Sequence, residues 1–483
     1  MRRRTKIVAT IGPASSTPEQ LRSLVDAGMD VARINLSHGE LSTALERVAA
    51  VRSAARSAGR EVGILVDLPG PKVRTGGFHD AGAFLVEGSM LDLVPDTAEA
   101  ATSDAHRVAV DYPSLLEDLR AGDQVVLGDG AIHLQAESVD ELGARCRVVT
   151  GGRVTGRPGV HLPSERLRLT APTPHDIQLL EGLQGKDIDF IAASFVRNAN
   201  DVAVVQRHAG PNRPMIIAKI ETAPAVANLE EILEVTDAVM VARGDLGIEC
   251  PLEDVPHLQK QIIRACVEAG TPVITATQML ESMIHAPVPT RAEVSDVANA
   301  VFDGTDAVML SAETAIGADP ALVVRTMARV AARAEAEADY AGWGSRLSRR
   351  KASVGDGRSA TAGDITAAMR HAAWQVASDA GAAAILCCTR SGLTARAMAR
   401  YRPESLLIGL SPQPRTLRQL ALSWGVVPMS VDTYASTDEL VWYAVEAAVK
   451  AGVVRAGQVV AVLAGAPDRD LQATDVLRLV PVR

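Results

Sequence analysis

Eight short apolar, β-branched runs punctuate the first two thirds of the chain, and helical patterns separate many of them. The runs occupy residues 6–11, 30–36, 62–67, 189–196, 215–220, 238–243, 273–277 and 307–310. Helical periodicity covers 17–27, 41–58, 225–235, 255–269, 291–302 and 320–336. Near-continuous apolar strands alternating with helices predict a parallel sheet buried on both faces. Eight such units predict closure into a (β/α)8 TIM barrel, so the fold class is α/β.

One connection breaks the rhythm. About a hundred residues pass between Asp67 and the fourth run, and they read as short strands with turn signals at 84–86, 90–94, 107–110, 124–127, 132–136 and 146–149. Asp129-Gly130 between two apolar runs is a hairpin signal. An all-β lid domain inserted at a barrel loop is expected over 70–167, leaving 1–69 and 168–341 for the barrel. A Gly-, Ser-, Arg- and Ala-rich stretch at about 342–363 reads as a linker. Strand–helix alternation then resumes, giving a C-terminal open α/β domain within 342–483.

Composition narrows the function. The net charge of −9 and the 3% aromatic content argue against nucleic-acid partners. No apolar segment long enough to span a membrane follows the basic start, so no membrane association and a cytoplasmic location are expected. The five cysteines form no CxxC pair and read as reduced core thiols; Cys387 and Cys388 are adjacent and must face opposite sides of a strand. No GxxxxGK[ST] or GxGxxG motif occurs.

Barrel chemistry gathers where the strands end. The second run delivers Arg33, Asn35, Ser37 and His38; the third delivers Asp67, Lys72 and Arg74. The fourth gives Ser194 and Arg197, the fifth Lys219 and Glu221, and the sixth Arg243, Gly244 and Asp245. The seventh gives Thr277 and Gln278, and the eighth Ser311 and Glu313. One or two such groups are ordinary rim polarity, whereas charge from nearly every strand is not. Glu221 and Asp245 are hard oxygen ligands suited to Mg2+ (or Mn2+) completed by substrate oxygens and water. Alternatively, Glu221 pairs with Lys219 along one strand face. Arg33, Arg74 and Lys219 supply cations for a phosphoryl group in transit. A magnesium-dependent phosphotransferase follows.

Several long segments resemble pyruvate kinase. They are Lys6-Ile-Val-Ala-Thr-Ile-Gly-Pro, Ala32-Arg-Ile-Asn-Leu-Ser-His-Gly, Lys219-Ile-Glu, Met240-Val-Ala-Arg-Gly-Asp-Leu-Gly, Pro289-Thr-Arg-Ala-Glu-Val-Ser-Asp and Met309-Leu-Ser-Ala-Glu-Thr-Ala. The resemblance implies phosphoryl transfer from phosphoenolpyruvate to ADP, giving pyruvate and ATP. It implies Mg2+ on Glu221 and Asp245, and Lys219 beside the moving phosphoryl group. Arg33 and Arg74 would hold phosphate oxygens. Gly244, Asp245 and Thr277 would hold the substrate carboxylate. Thr277, backed by Ser311 and Glu313, would help protonate the enolate. Asn35, His38 and Arg74 would face the nucleotide, and a homotetramer is expected.

Two departures matter. Members of the family that need K+ carry Asp-Thr-Lys-Gly-Pro-Glu after the third strand, where this chain has Asp67-Leu-Pro-Gly-Pro-Lys72. The Lys72 ammonium is expected to replace the monovalent ion, making K+ dispensable, while Asn35, Ser37 and Asp67 leave a residual site. Further on, Thr389, Arg390, Ser391, Gly392 and Thr394 stand at a strand-to-helix turn able to nest a phosphate. This resembles the family's sugar-bisphosphate pocket. The last loop, from Gly465, lacks the glycine-rich ending of many members activated by fructose bisphosphate. A phosphorylated allosteric effector, a sugar phosphate or AMP, is expected there.

Two other functions fit the barrel. A Mg-dependent phosphoenolpyruvate/pyruvate carbon–carbon lyase also presents two carboxylates to a metal and an enolate, but does not need a lid or ADP. A non-catalytic metabolite sensor would not need Lys219, Glu221, Asp245 and Thr277 together.

Overall fold

The computed structural model describes residues 3–37, 39–96, 102–128, 130–163, 167–340, 342–344, 347, 362–433, 436–465 and 474–483. Eight parallel strands close into a barrel: β1 (Lys6–Thr10), β2 (Val31–Asn35), β3 (Gly63–Asp67), β4 (Phe190–Ala193), β5 (Met215–Ile220), β6 (Ala238–Ala242), β7 (Val273–Ala276) and β8 (Ala307–Leu310). Each strand pairs with its sequence neighbours, and β1 closes on β8. Alternation along the strands sorts the side chains. Val8, Val31, Leu65, Phe190, Met215, Ile217, Met240, Ile274 and Met309 fill the barrel interior. Their neighbours Ile7, Ile34, Ile64, Ile216, Val239 and Val308 pack outward against the helices.

A repeated device closes the bottom of this barrel. An aspartate stands immediately before each even strand: Asp30, Asp189, Asp237 and Asp306. Each accepts on its carboxylate an N–H from the preceding odd strand, at Ile7 (2.9 Å), Ile64 (2.9 Å), Ile216 (2.8 Å) and Val273 (3.1 Å). Each also donates its own N–H to the carbonyl of that same residue, at 3.0 Å in all four cases. Backbone groups that the stagger of the barrel leaves beyond the ladder are thereby paired. An arginine neutralises every carboxylate: Arg3 and Arg60 at Asp30, Arg52 and Arg418 at Asp189, Arg213 at Asp237, and Arg402 at Asp306.

Arg402 and Arg418 belong to the C-terminal part of the chain. There β9 (Ala384–Cys388), β10 (Leu406–Ser411), β11 (Val426–Ser430), β12 (Val459–Ala464) and β13 (Val476–Pro481) form an open sheet ordered 11-10-9-12-13. Leu422 of this part packs among the residues that fill the barrel interior, as a plug. Cys387 and Cys388 face opposite sides of β9 and are both buried. The terminal strand β13 runs antiparallel and half exposed, and lies outside the alternating pattern predicted from sequence. Residues 342–344, expected in the linker, are helical, and Trp343 packs on the barrel core. Most of the remaining expected linker lies outside the described residues.

The residues between β3 and β4 carry their own apolar core, built on Leu85, Leu91, Leu93, Val125, Leu134 and Val148. A six-stranded sheet and two two-stranded ribbons make up this part. The predicted hairpin is present: Gln124–Leu127 pairs antiparallel with Ile132–Val139, and Gly130 has a φ of 91°. Asp129 lies outside the described residues. The helix expected over 225–235 is split into Ala223–Ala227 and Leu229–Val235 at Asn228, whose amide donates to Arg197 O at 2.9 Å.

Candidate active site

The parity that fills the barrel with apolar groups also sets the chemistry above it. Val8, Val31, Leu65, Phe190, Ile217 and Met309 face inward, so two residues further on Thr10, Arg33, Asp67, Ala192, Lys219 and Ser311 follow the same face. The next inward position on the fourth and fifth units brings Ser194 and Glu221. A polar layer thus sits directly on the apolar core at the carboxyl ends of the strands.

Lys219 is its centre. Its ammonium donates to Ser194 Oγ at 2.7 Å and lies 3.1 Å from Glu221 Oε2 and 3.6 Å from Asp67 Oδ1. Burial disfavours this charge, but Asp67, Glu221 and Asp245 outweigh it and hold the ammonium above its ordinary range. Burial likewise raises Asp67, yet Lys219 and Arg33 bring it below the usual carboxylate range. Arg33 donates twice to Asp67 Oδ2, at 2.8 and 2.6 Å, and once to Thr10 Oγ1 at 3.1 Å.

Glu221 behaves differently. Burial first, and then the Asp245 carboxylate, push it up to about 7 against the pull of Lys219. Its Oε1 accepts from Phe195 N at 2.7 Å, while its buried Oε2 has no hydrogen-bond partner. An under-coordinated oxygen on a wholly buried carboxylate, next to a second carboxylate, is the donor set a hard divalent cation completes. Among the described residues no group of three or more His, Cys, Asp or Glu side chains could hold a metal by itself. The residues therefore fit Mg2+ shared with substrate oxygens and water, as Mg2+ commonly binds.

Thr277 occupies a left-handed conformation, φ 70°, followed by Gln278 at 52°. Such a backbone at a β-branched residue is costly and must be enforced by its surroundings. Gly244 N donates to Thr277 Oγ1 at 2.9 Å, tying the ends of β6 and β7 together beside Asp245. Glu313 is buried and accepts from Ser311 N (2.6 Å) and Leu280 N (3.2 Å). These bonds fix the loop beyond Thr277, and no direct Glu313–Thr277 hydrogen bond is formed.

The residues after β3 lead out over this layer. Gly70 has a φ of 67°, and a Cβ there would stand 2.8 Å from both Ser194 and Phe195, so only glycine fits the turn. Leu68 is buried in the apolar core. Lys72 is exposed yet close enough to help lower Asp67. Lys72, Arg74 and His161 line one wall of a cleft, and Phe195, Arg197, Thr222, Asp245 and Glu249 line the other. Asn35 stands in register with Asp67, and its Oδ1 accepts from Ser37 N at 3.0 Å. His38 lies outside the described residues.

The segment carrying Thr389, Arg390, Ser391, Gly392 and Thr394 is far from this layer in the fold, at the end of β9. Gly392, φ 80°, makes the turn and donates to Thr389 Oγ1 at 3.0 Å. Leu393 N donates to Ser391 Oγ at 3.4 Å, Thr416 Oγ1 donates to Arg390 O at 2.7 Å, and Thr394 Oγ1 meets Thr474 Oγ1 at 2.8 Å. Residues 466–473 of the adjoining loop lie outside the described residues.

Sequence reasoning gave no role to Thr10, Ser194, Phe195 or Arg243, which hold the charged groups in place. For Thr10 and Ser194 the signal was available, because both continue an inward-facing series.

Comparison with known proteins gives the family. Residues 2–324 match the family described as pyruvate kinase, barrel domain, and residues 367–480 match pyruvate kinase, alpha/beta domain. The chain is 42% identical to the pyruvate kinase of Methylorubrum extorquens over 477 residues, covering 99% of this chain and 97% of that one. It is 39% identical to that of Clostridium acetobutylicum over 480 residues, 99% of each. It is 41% identical to that of Geobacillus stearothermophilus over 485 residues, 99% of this chain and 80% of the other.

Proposed function

The chain belongs to the pyruvate kinase family of phosphotransferases, and from that premise we propose how its own residues move a phosphoryl group from phosphoenolpyruvate to ADP. Matches over nearly the whole chain, lid and C-terminal part included, weigh against the lyase and sensor readings. The observation that carries the mechanism is the Lys219–Glu221–Asp67 cluster on the barrel axis.

Glu221 and Asp245 would hold Mg2+, which when bound neutralises substrate oxygens. Lys219 meets the charge that spreads over the phosphoryl oxygens, and its three acidic neighbours keep it protonated throughout. Arg33, oriented by Asp67 and Thr10, binds a phosphate oxygen from the opposite wall. Arg74, on the far side of the cleft, grips the same group from the lid. Gly244, Asp245 and Thr277 receive the substrate carboxylate, and Thr277 directs a proton, through water, to the enolate methylene. Ser311 and Glu313 brace that turn. Closure of the lid excludes water, which would otherwise take the phosphoryl group in place of ADP.

Asn35, His38 and Arg74 are assigned to the nucleotide side. Lys72 replaces K+, with Asn35, Ser37 and Asp67 as a residual site. Thr389 to Thr394 bind a phosphorylated effector, a sugar phosphate or AMP, and the enzyme acts as a homotetramer. No helix among the described residues is long and apolar enough to cross a membrane, and a cytoplasmic setting is assigned from the family.

The test is a coupled assay of pyruvate formation from phosphoenolpyruvate, with and without ADP and with and without Mg2+. Turnover strictly dependent on ADP and a divalent cation supports the assignment. Pyruvate release without ADP, or carbon–carbon cleavage, overturns it. Calorimetric titration with sugar phosphates and nucleoside monophosphates tests the effector assignment, which Thr389→Val should abolish.

A further inference from the structure

Thr277 needs an external restraint, since its φ of 70° is disfavoured for a β-branched residue. One side chain supplies it. Arg243, the first residue beyond β6, donates from Nη2 to Thr277 O at 2.6 Å and from Nε to Ala276 O at 3.2 Å. The same guanidinium is held from behind by Asp296 Oδ1 at 2.7 Å and Gln259 Oε1 at 3.2 Å. Its Nη2 also meets Met279 Sδ at 2.8 Å, beyond the turn. Two successive carbonyls are therefore locked onto one rigid planar fork.

Arg243 adjoins Gly244 and Asp245, and Gly244 N bonds Thr277 Oγ1. The first helical turn after β6, which bears Asp245, thus grips the Thr277 turn twice. The side-chain clamp takes the carbonyls, and the next amide takes the hydroxyl. The hydroxyl also donates to Ala276 O at 2.7 Å.

We propose that Arg243 is a positioning residue. Without touching substrate, it holds Thr277 in the left-handed conformation that sets its hydroxyl against Gly244 N beside Asp245, with Asp296 orienting the guanidinium. This rests on the reading that Thr277 serves the proton-transfer step. Lysine keeps the charge but cannot reach both carbonyls and Asp296 from one plane.

Arg243→Lys is expected to lower kcat about 10- to 100-fold, the scale of a displaced catalytic group, with the KM for ADP unchanged. Exchange of pyruvate methyl protons in D2O, which isolates the proton-transfer half, should fall by the same factor. Thr277→Ala is the partner variant. If Arg243 acts through Thr277, the double variant loses no more than the worse single one; independent, multiplying losses overturn the proposal. Should Arg243→Lys fail to fold, the milder Asp296→Asn replaces it in the same cycle. A crystal structure of the variant gives a readout free of activity. Thr277 relaxing to negative φ supports the clamp, and Thr277 remaining near its present φ overturns it. An inactive wild type would instead indict the kinase reading and leave this structural result standing.

Discussion

Glu221 Oε2 lies 3.1 Å from Lys219 Nζ and takes no hydrogen bond, although the whole side chain is buried. The two residues do pair along one face of β5, the plainer of the alternatives their spacing allows. That pairing leaves the carboxylate incomplete, with its pKa raised to about 7 by burial and by Asp245. A proton and a divalent cation should therefore compete for it near neutrality. Mg2+ affinity, measured calorimetrically without substrate, is expected to rise from pH 6 to 8, with proton release near pH 7. The sign for stability is the reverse. A carboxyl whose folded pKa lies above its unfolded value stabilises most below the unfolded pKa, and this is lost as pH rises through about 7. The melting temperature of the metal-free protein should fall across that window and Mg2+ should restore it. Glu221→Gln should flatten both profiles; unchanged pH dependence in that variant would refute the assignment.

Lys219→Met removes the ammonium held among three carboxylates. A loss of about 10²–10³-fold in kcat is expected, the cost of one well-placed charge stabilising a transition state. The KM for phosphoenolpyruvate should move far less, because Arg33 keeps its own bonds to Asp67 and Thr10. Initial-rate kinetics decide it. A large rise in KM with kcat intact would recast Lys219 as a ground-state binding group.

Much of this site was legible because strand parity and strand ends are both written in the sequence. Arg33, Asp67, Lys219 and Ser311 each fall two residues beyond an inward apolar side chain, so their convergence followed once the eight runs were counted. What holds them was harder to see. Phe195 N reaches Glu221 from a residue whose φ is 55°, and no local signal announces that in an Ala-Ser-Phe-Val context. Arg243 read as one more charge at the rim, since its acceptors are backbone carbonyls from another strand end. The aspartates before the even strands were visible but not recognised as a set. Their meaning depends on which amides the barrel stagger leaves without partners.

Lys72 stands where its charge acts on Asp67, while Leu68 offers the apolar core no oxygen for an ion. At about 4 Å a unit charge is worth about 4 kcal/mol at an effective dielectric near 20, or about three decades in rate. The wild type should therefore turn over in buffer free of K+ and ammonium, with little gain when K+ is added. Lys72→Ala should fall by up to about a thousandfold and regain part of that with K+. A wild type that is silent without K+ and rescued by it would sink the substitution idea.

The four aspartate clasps at the barrel bottom are chemically alike but differently exposed, which predicts unequal costs for breaking them. Arg402 is 1% exposed and its partner Asp306 is buried. The guanidinium also bonds Gly304 O at 2.6 Å and lies 4.9 Å from the ring centre of Trp424. Removing it strands a buried carboxylate, for which about 3–5 kcal/mol is usual. Arg213, at the equivalent clasp on β6, has a side chain 26% exposed against a carboxylate 30% exposed. Solvent screens that pair, and its loss should cost under about 1 kcal/mol. Urea unfolding of Arg402→Met and Arg213→Met, followed by tryptophan fluorescence, tests the contrast. Arg402→Met should also loosen the C-terminal part first, because Trp424 and the Leu422 plug sit on the same short segment. Equal midpoints for the two variants would mean that the clasps act through their backbone bonds alone, with the arginines contributing nothing measurable.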